Sequence, residues 1–120
     1  MSNLRSQVIK IRERNRLMLE QEQQRIVNEL ISLGAKKIIL FGSLARNDSG
    51  MLSDLDLLVV MESKEDFINR VAGIYRLIKP RVATDILVYT PEELARQEKT
   101  NPFIRNALKE GVLLYARETP

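Results

Sequence analysis

The chain has 120 residues, of which 44% are hydrophobic and 29% charged, and its formal net charge at pH 7 is +3. These proportions are typical of a soluble globular protein, and no apolar run approaches the roughly 20 residues that a membrane-spanning helix requires. Cysteine and histidine are both absent, which excludes disulfides, thiolate zinc sites, a cysteine nucleophile and a histidine base. Any catalysis must therefore use carboxylates, hydroxyls, Lys, Arg or a hard cation.

Much of the excess positive charge lies in the first sixteen residues, where the basic side chains outnumber Glu13. They are Arg5, Lys10, Arg12, Arg14 and Arg16. A basic helical segment is more often a solvated face or a protein-contact surface than a nucleic-acid site. The chain also has no RNA-binding signature, so nucleic acid is not favoured as a partner. The segment lacks the continuous apolar stretch of a secretory signal, and we expect a cytoplasmic protein.

The first structural signal is a helix. From Leu4 to Leu33 there is no proline or glycine, and apolar residues recur at helical spacing. Gly34 follows at the place where a left-handed cap is expected. The pattern predicts one long helix, or two helices broken near residues 12–16. Thirty residues at about 1.5 Å each would run about 45 Å, which is longer than a small domain needs, so we expect the outer end to serve a partner.

The rest of the chain alternates strand and helix signals. Short apolar runs predict strands at Lys37–Phe41, Asp54–Met61, Val82–Tyr89 and Val112–Ala116. Cap signals predict the helices between them: Ser63 with Asp66 before a helix that Pro80 ends, Thr90 with Pro91 and Glu93, and Asn101 with Pro102. This order predicts an α/β (α+β) fold, a small mixed sheet of about four strands flanked by helices. We expect one domain over 1–120, with a helical segment at 1–33 and a core at 36–116.

Two aspartates, Asp54 and Asp56, open the second predicted strand. Side chains alternate along a strand, so both point to one face, with Leu55 and Leu57 on the other. Carboxylates held side by side repel, and one takes up a proton unless a cation lies between them. Mg²⁺ prefers oxygen ligands and usually keeps one or two carboxylates plus substrate phosphates. The pair therefore indicates a magnesium site.

Asp85 repeats this pattern in the third predicted strand, where it alternates with the apolar Ile86 and Val88. If that strand lies beside the second, Asp85 joins Asp54 and Asp56 in a three-carboxylate site. Such a site could hold two metal ions about 4 Å apart, one on the attacking oxygen and one on the phosphates of a nucleotide.

The segment FGSLAR ends the first predicted strand. Gly42 lets the backbone approach a phosphate closely, and a short helix beginning at Ser43 would direct free N–H groups at an anion. Ser43 adds a hydroxyl donor, and Arg46 adds a positive charge one turn later. Taken alone, Gly42-Ser43 is compatible with a plain strand-to-helix turn that has a serine N-cap. Joined to the paired aspartates, the dipeptide becomes specific evidence.

The charged residues also have structural interpretations. Asp54 is compatible with a turn cap. Asp85 is compatible with an ion pair to Arg81 or Arg46, and Arg46 with a structural partner of a carboxylate. Asp56 differs, because it lies inside the strand, where a lone unpaired carboxylate would cost several kcal/mol.

Ten residues separate Gly42-Ser43 from the Asp54-Leu55-Asp56 triplet. This spacing resembles the signature of the minimal nucleotidyltransferases of the DNA polymerase beta superfamily. The segments SDLDLLVV and ALKEGVLLYA are also similar to that family, and the resemblance covers about residues 20–116. It implies the nucleotidyltransferase fold and transfer of a nucleoside monophosphate from ATP or another NTP to a hydroxyl, with pyrophosphate leaving.

The resemblance also implies roles for individual residues. Gly42 and Ser43 would hold the triphosphate, and Asp54 and Asp56 would bind magnesium ions. Asp85 would bind the second metal and help to remove the proton of the acceptor. One departure from the family lies at residues 47–49, where many relatives carry a basic or glycine-containing segment and this chain has Asn-Asp-Ser.

Minimal proteins of this family are commonly the antitoxin half of two-gene systems whose partner is an all-helical HEPN ribonuclease toxin. The resemblance therefore implies a HEPN toxin as partner and AMP transfer to a toxin tyrosine. Two alternatives stay open: an antitoxin that acts by contact alone, and a nucleotidyltransferase for a small molecule such as an aminoglycoside. For the last, nothing in the sequence supplies a second domain to enclose the substrate. A homo- or hetero-oligomer is compatible with the sequence.

Overall fold

The computed structural model describes residues 3–45 and 55–118. Within these ranges the chain forms five helices and four strands. They are α1 (Leu4–Ser32), β1 (Lys37–Phe41), α2 (Gly42–Ala45), β2 (Leu55–Val60), α3 (Phe67–Ile78), β3 (Thr84–Tyr89), α4 (Pro91–Thr100), α5 (Pro102–Glu110) and β4 (Val112–Ala116). The predicted alternation of strands and helices is confirmed, with β3 beginning two residues later than the apolar pattern indicated.

The described strands form one mixed sheet in the order β3-β2-β1-β4. Strand β1 runs antiparallel to both β2 and β4, whereas β2 and β3 are parallel. The parallel pair is possible because α3 connects the two strands, as a crossover between parallel strands requires. The predicted fold class, a small mixed sheet flanked by helices, is therefore confirmed.

Both faces of the sheet are covered. On one face, α1 and α3 pack against the strands through buried residues that include Ile26, Leu30, Leu55, Leu57, Ile74 and Ile78. On the other face, α5 packs through a second set that includes Phe41, Leu58, Val60, Ile104 and Ala107. Strand β2 is central and contributes to both sets, which explains why its sequence is a nearly continuous apolar run.

Helix α1 is continuous over 29 residues, so the alternative of a break near residues 12–16 is wrong. Asn3 caps its start by accepting the N–H of Ser6, and Gly34 follows its end at φ +104°, as predicted. Only the second half of α1 packs on the sheet, and the described chain measures 58 × 29 × 29 Å. No helix of the described ranges is both long and apolar enough to cross a membrane.

An ion pair within α1, partly buried, hydrogen-bonds the backbone of the turn between α3 and β3. Arg25 contacts both carboxylate oxygens of Glu22, at 2.6 and 2.8 Å, and donates to the carbonyls of Ile78 and Lys79 at 3.0 and 3.2 Å. The backbone N–H of Arg81 donates to the same glutamate. The hydrogen bonds from Arg25 hold the pKa of Glu22 below its ordinary value. This network fixes α1 against the turn that leads into β3.

The cap of α3 differs from the prediction. Asp66 is the N-cap residue, and its side chain accepts the N–H of Asn69 at 2.9 Å. Ser63 lies before the helix and accepts the N–H of Glu65 at 3.1 Å. The predicted capping box from Ser63 to Asp66 is therefore wrong: Asp66 is itself a strong N-cap residue and starts the helix three residues later.

The N-terminal turn of α3 is joined to the start of α4 by a buried arginine. Arg70 donates to Glu93 at 2.6 Å, to the carbonyl of Val88 at 2.9 Å and to the carbonyl of Glu65 at 2.6 Å. Glu93 also completes the predicted capping box with Thr90. Because Val88 lies in the edge strand β3, Arg70 covers part of the free edge of the sheet.

Candidate active site

Asp56 and Asp85 lie opposite each other on neighbouring strands. The parallel pairing of β2 and β3 aligns the two residues in register, near the start of both strands. The predicted adjacency of the second and third strands is thus confirmed. Asp56 points to the face opposite Leu55 and Leu57, as the alternation required. The structure therefore brings two of the three predicted carboxylates to one edge of the sheet.

The two carboxylates differ in exposure. Asp56 is partly buried, because β2 is central, whereas Asp85 is exposed, because β3 forms the edge of the sheet. No lysine or arginine of the described residues forms a salt bridge with Asp85, so the ion pair to Arg81 that the sequence left open is not formed. Asp85 thus remains accessible from solvent at the mouth of the site.

Gly42 lies directly against Asp56. It has φ +75°, a conformation that favours glycine, and a Cβ at this position would overlap the Oδ2 atom of Asp56. Helix α2 begins at Gly42, one residue earlier than predicted, and Ser43 lies within it. The glycine is therefore required by the approach of the aspartate as well as by the turn. The sequence indicated the glycine but not this contact.

An open cavity of about 860 Å³ begins at these residues. Its lining comes from β1, β2, β3, α2, α3 and α5, and includes Gly42, Asp56, Tyr75, Asp85, Phe103, Asn106 and Glu110. This volume lies in the range of small-molecule sites, which combine apolar walls with a few polar groups. The paired aspartates supply polar groups at one end, and α5 supplies an apolar wall.

The apolar wall is built around two aromatic rings. Phe41 and Phe103 meet edge to face, with ring centroids 5.8 Å apart. Phe103 keeps 57% of its surface exposed although it is large and apolar. It therefore offers an apolar surface to a ligand in the cavity, at a place where the sequence showed only the first turn of a helix.

Tyr75 is a residue of the cavity that the sequence analysis missed. Its hydroxyl donates to the carbonyl of Thr84 at 2.7 Å and accepts the N–H of Ile86 at 2.8 Å. Burial raises the pKa of Tyr75, and the negative charges of Asp85 and Asp56 raise it further. A tyrosine beside the apolar stripe of a helix usually finds a partner for its hydroxyl, but spacing along the sequence does not reveal which one.

The remaining predicted site residues are not all described. Arg46, Asp48 and Asp54 lie outside the described residues, and Ser43 is placed by its backbone alone. Within the described ranges no group of three acidic side chains could hold a metal ion. The oxygen donors of Asp56 and Asp85, set side by side at a cavity, nevertheless fit Mg²⁺, which is bound through one or two carboxylates plus substrate phosphates.

The described residues thus form a mixed sheet with a crossover through α3 and two aspartates at an open cavity. Comparisons with known proteins show which family this chain belongs to. The family model described as nucleotidyltransferase domain matches residues 21–115. The chain therefore belongs to the nucleotidyltransferase domain family, and the predicted enzyme class is confirmed.

Two known proteins illustrate the similarity. The chain is 40% identical over 80 residues to a protein of Methanocaldococcus jannaschii named "putative protein adenylyltransferase"; the match covers 67% of this chain and 78% of that relative. A crystal structure of a "putative nucleotidyltransferase" from Sulfolobus solfataricus superposes with a TM-score of 0.56, covering 93% of this chain and 89% of that one. At 23% identity, the second similarity concerns the fold.

Proposed function

We propose that this nucleotidyltransferase transfers AMP from ATP to a protein hydroxyl, the tyrosine of a HEPN-type toxin, and thereby acts as an antitoxin. The observation that supports this function most is the alignment of Asp56 with Asp85 beside Gly42, at the mouth of an open cavity. The name of the relative from Methanocaldococcus jannaschii, a protein adenylyltransferase, supports a protein acceptor.

In this proposal the three aspartates share one role, the binding of metal ions. Asp54, Asp56 and Asp85 would hold two Mg²⁺ ions, which neutralise the charge that develops on the phosphates when they are bound. Gly42 leaves room for the carboxylate of Asp56, and Ser43 and Arg46 contact the triphosphate. This assignment places the catalytic core at residues 36–116.

The chemical step is a displacement at the α-phosphorus of ATP. The acceptor oxygen forms a bond to this phosphorus while the bond to the departing pyrophosphate breaks. A carboxylate oxygen of Asp85 takes the proton of the acceptor hydroxyl. Because Asp85 is exposed at the sheet edge, a side chain on the surface of a second protein can reach it. Precise placement of the two reactants supplies much of the rate enhancement in such reactions.

A non-catalytic antitoxin is the second candidate function. The first half of α1 is largely exposed, is basic and carries exposed apolar residues such as Leu4, Ile9 and Ile11. Such a surface is suited to contact with a protein. In this case the protein would neutralise its toxin through α1 without transferring a nucleotide.

The test is to co-express the chain with an all-helical toxin partner, incubate the complex with ATP and Mg²⁺, and weigh both chains by intact-mass spectrometry. We expect the partner to gain the mass of one AMP or its multiples. Asp56→Asn and Asp85→Asn should lose this gain. Asp66→Asn is the matched control, because asparagine also caps a helix and Asp66 lies outside the cavity.

Two results would decide against the catalytic proposal. One is a stable complex in which the wild-type chain adds no mass to its partner. The other is neutralisation of the toxin by Asp56→Asn and Asp85→Asn as effective as that of the wild type, which would favour the contact antitoxin. Transfer to an aminoglycoside in place of a protein would favour the small-molecule alternative.

A further inference from the structure

The free edge of β3 is bonded by α3 at the residues on either side of Asp85. In a strand, the N–H and C=O groups of alternate residues point to the same side. The N–H groups of Leu55 and Met61 donate to the carbonyls of Ala83 and Tyr89, so the odd-numbered residues of β3 face β2. The peptide groups of Thr84 and Ile86 therefore point outward. The Tyr75 hydroxyl bonds both, donating to the first at 2.7 Å and accepting from the second at 2.8 Å. One hydroxyl thus closes a bridge across the backbone of Asp85.

This bridge fixes the backbone of Asp85 from the outer edge, while the ladder to β2 holds it from the inner edge. The direction of a side chain on a strand follows from its backbone. With both neighbouring peptide groups held, the carboxylate of Asp85 is directed to the face that it shares with Asp56. Without the hydroxyl, the first residues of β3 would be bonded along one edge only.

We propose that Tyr75 is a positioning residue that holds Asp85 in register with Asp56 for metal binding. The inference rests on the proposed function, because it assigns the two aspartates to a metal site. Tyr75 acts through the backbone, because its hydroxyl donates its proton to one peptide group and accepts the N–H of the other. Arg70 covers the other end of the same edge at Val88, which lies three residues beyond Asp85 and outside the cavity lining.

The inference is tested with Tyr75→Phe, which removes the hydroxyl and keeps the ring. Tyr89→Phe is the matched control. Tyr89 lies at the opposite end of β3, and its ring stacks on Phe67 at 5.2 Å, a contact that phenylalanine preserves. The probe is Mn²⁺ alone, titrated into the full chain without nucleotide and followed by electron paramagnetic resonance. The melting temperature of each variant is measured in parallel.

We expect Tyr75→Phe to weaken Mn²⁺ binding about 10-fold or more, as the loss of a group that orients a metal ligand commonly does. Tyr89→Phe should bind as the wild type does. In a transfer assay, Tyr75→Phe should lower kcat more than it changes the KM for ATP. A purely structural role would lower the melting temperature and leave the Mn²⁺ affinity unchanged, and that result would overturn the inference.

A measurement on the wild type makes the test independent of whether the variant folds. Hydrogen exchange of the Ile86 amide should be slow, because the Tyr75 hydroxyl accepts this N–H at an otherwise open edge. Exchange as fast as that of solvent-exposed edge amides would contradict this hydrogen bond and overturn the inference. If the wild type fails to bind Mn²⁺, the proposed metal site is overturned together with the inference. Wild-type binding that Tyr75→Phe retains in full overturns the inference alone.

Discussion

Gly42 lies against Asp56 and leaves no room for a Cβ, which determines which side chains position 42 tolerates. The positive φ of Gly42 disfavours any other residue, and a Cβ would meet the carboxylate of Asp56. Any substitution at Gly42 should therefore both strain the backbone and displace the side chain of Asp56. Its effects on stability and on activity should be coupled.

Gly42→Ala should lower the free energy of unfolding by more than about 1 kcal/mol, because alanine is unfavourable at positive φ and its Cβ overlaps Asp56. Nucleotide transfer should fall with it. Gly73→Ala is the matched control: Gly73 lies inside α3, and the nearest atom to an added Cβ belongs to the Arg76 side chain at 3.9 Å. Alanine there should stabilise the helix by roughly 0.5–1 kcal/mol. Urea unfolding measures both, and equal effects of the two changes would refute the account of Gly42.

Some residues of the candidate site could be predicted from the sequence, and others could not. Alternation along β2 was sufficient to place Asp56 on the face opposite Leu55. The pairing of Asp85 with Asp56 also needed the two strands to be parallel neighbours in the observed register. Tyr75 could not be predicted, because its partners lie nine and eleven residues away and depend on how α3 packs against the sheet edge. Local periodicity thus predicts which face a residue occupies, whereas a contact between elements depends on their packing.

At the scale of elements, two ion pairs attach helices to the sheet. Arg25 and Glu22 pair within α1 and hydrogen-bond the backbone of the turn before β3. Arg70 pairs with Glu93 of α4 and donates to the carbonyl of Val88 in β3. The arginine hydrogen bond is the largest cause that lowers the pKa of each glutamate. These pairs link separate helices to the strand that carries Asp85, so their protonation should affect the stability of the whole sheet edge.

The stability of the protein should therefore depend on pH below neutrality. Glu22 has a lower pKa in the folded chain than the ordinary glutamate value of about 4.3 in the unfolded chain. The contribution of Glu22 to the free energy of unfolding is complete above the pKa of the unfolded chain. It is lost as the pH falls through the lower pKa of the folded chain. Glu22→Gln should reduce the loss of unfolding free energy between about pH 5 and about pH 3. Urea unfolding across this range is the measurement, and an unchanged slope would argue against a stabilising ionised Glu22.

The start of a helix was predicted correctly where one cap residue was available, and incorrectly where two cap residues lay close together. The box of Thr90 and Glu93 forms as its spacing indicates. Before α3, Ser63 and Asp66 are both good cap residues. Their spacing suggested a capping box that starts at Ser63, whereas the N-cap is Asp66. The continuity of α1 through its charged stretch also follows from local propensity, since no glycine or proline interrupts it.

At the scale of the molecule, the long dimension of 58 Å reflects α1, whose first half lies beyond the sheet. The buried contacts of this helix begin at Glu22 and continue through Ile26 and Leu30. The outer segment therefore contributes little to the core. Its charge and exposed apolar residues form the surface that the contact antitoxin proposed above would use.

A shortened chain that begins at Met18 should keep the fold, because it retains every buried residue of α1. Its melting temperature should stay within a few degrees of the full chain, which corresponds to less than about 1 kcal/mol. Circular dichroism melting measures this. If the contact antitoxin is correct, the shortened chain should lose its toxin partner in co-purification while it remains folded. A large fall in melting temperature would instead assign the outer segment a structural role.

We propose that Asp56 and Asp85 form a metal-dependent nucleotide site beside Gly42. The most direct measurement is calorimetric titration of ATP into the wild type, Asp56→Asn and the control Asp66→Asn, each with Mg²⁺ and with chelator. We expect ATP to bind the wild type and Asp66→Asn with one-to-one stoichiometry only when Mg²⁺ is present. In Asp56→Asn the affinity with Mg²⁺ should fall by about 10-fold or more. ATP binding that is equal with and without Mg²⁺, or unchanged in Asp56→Asn, would contradict it.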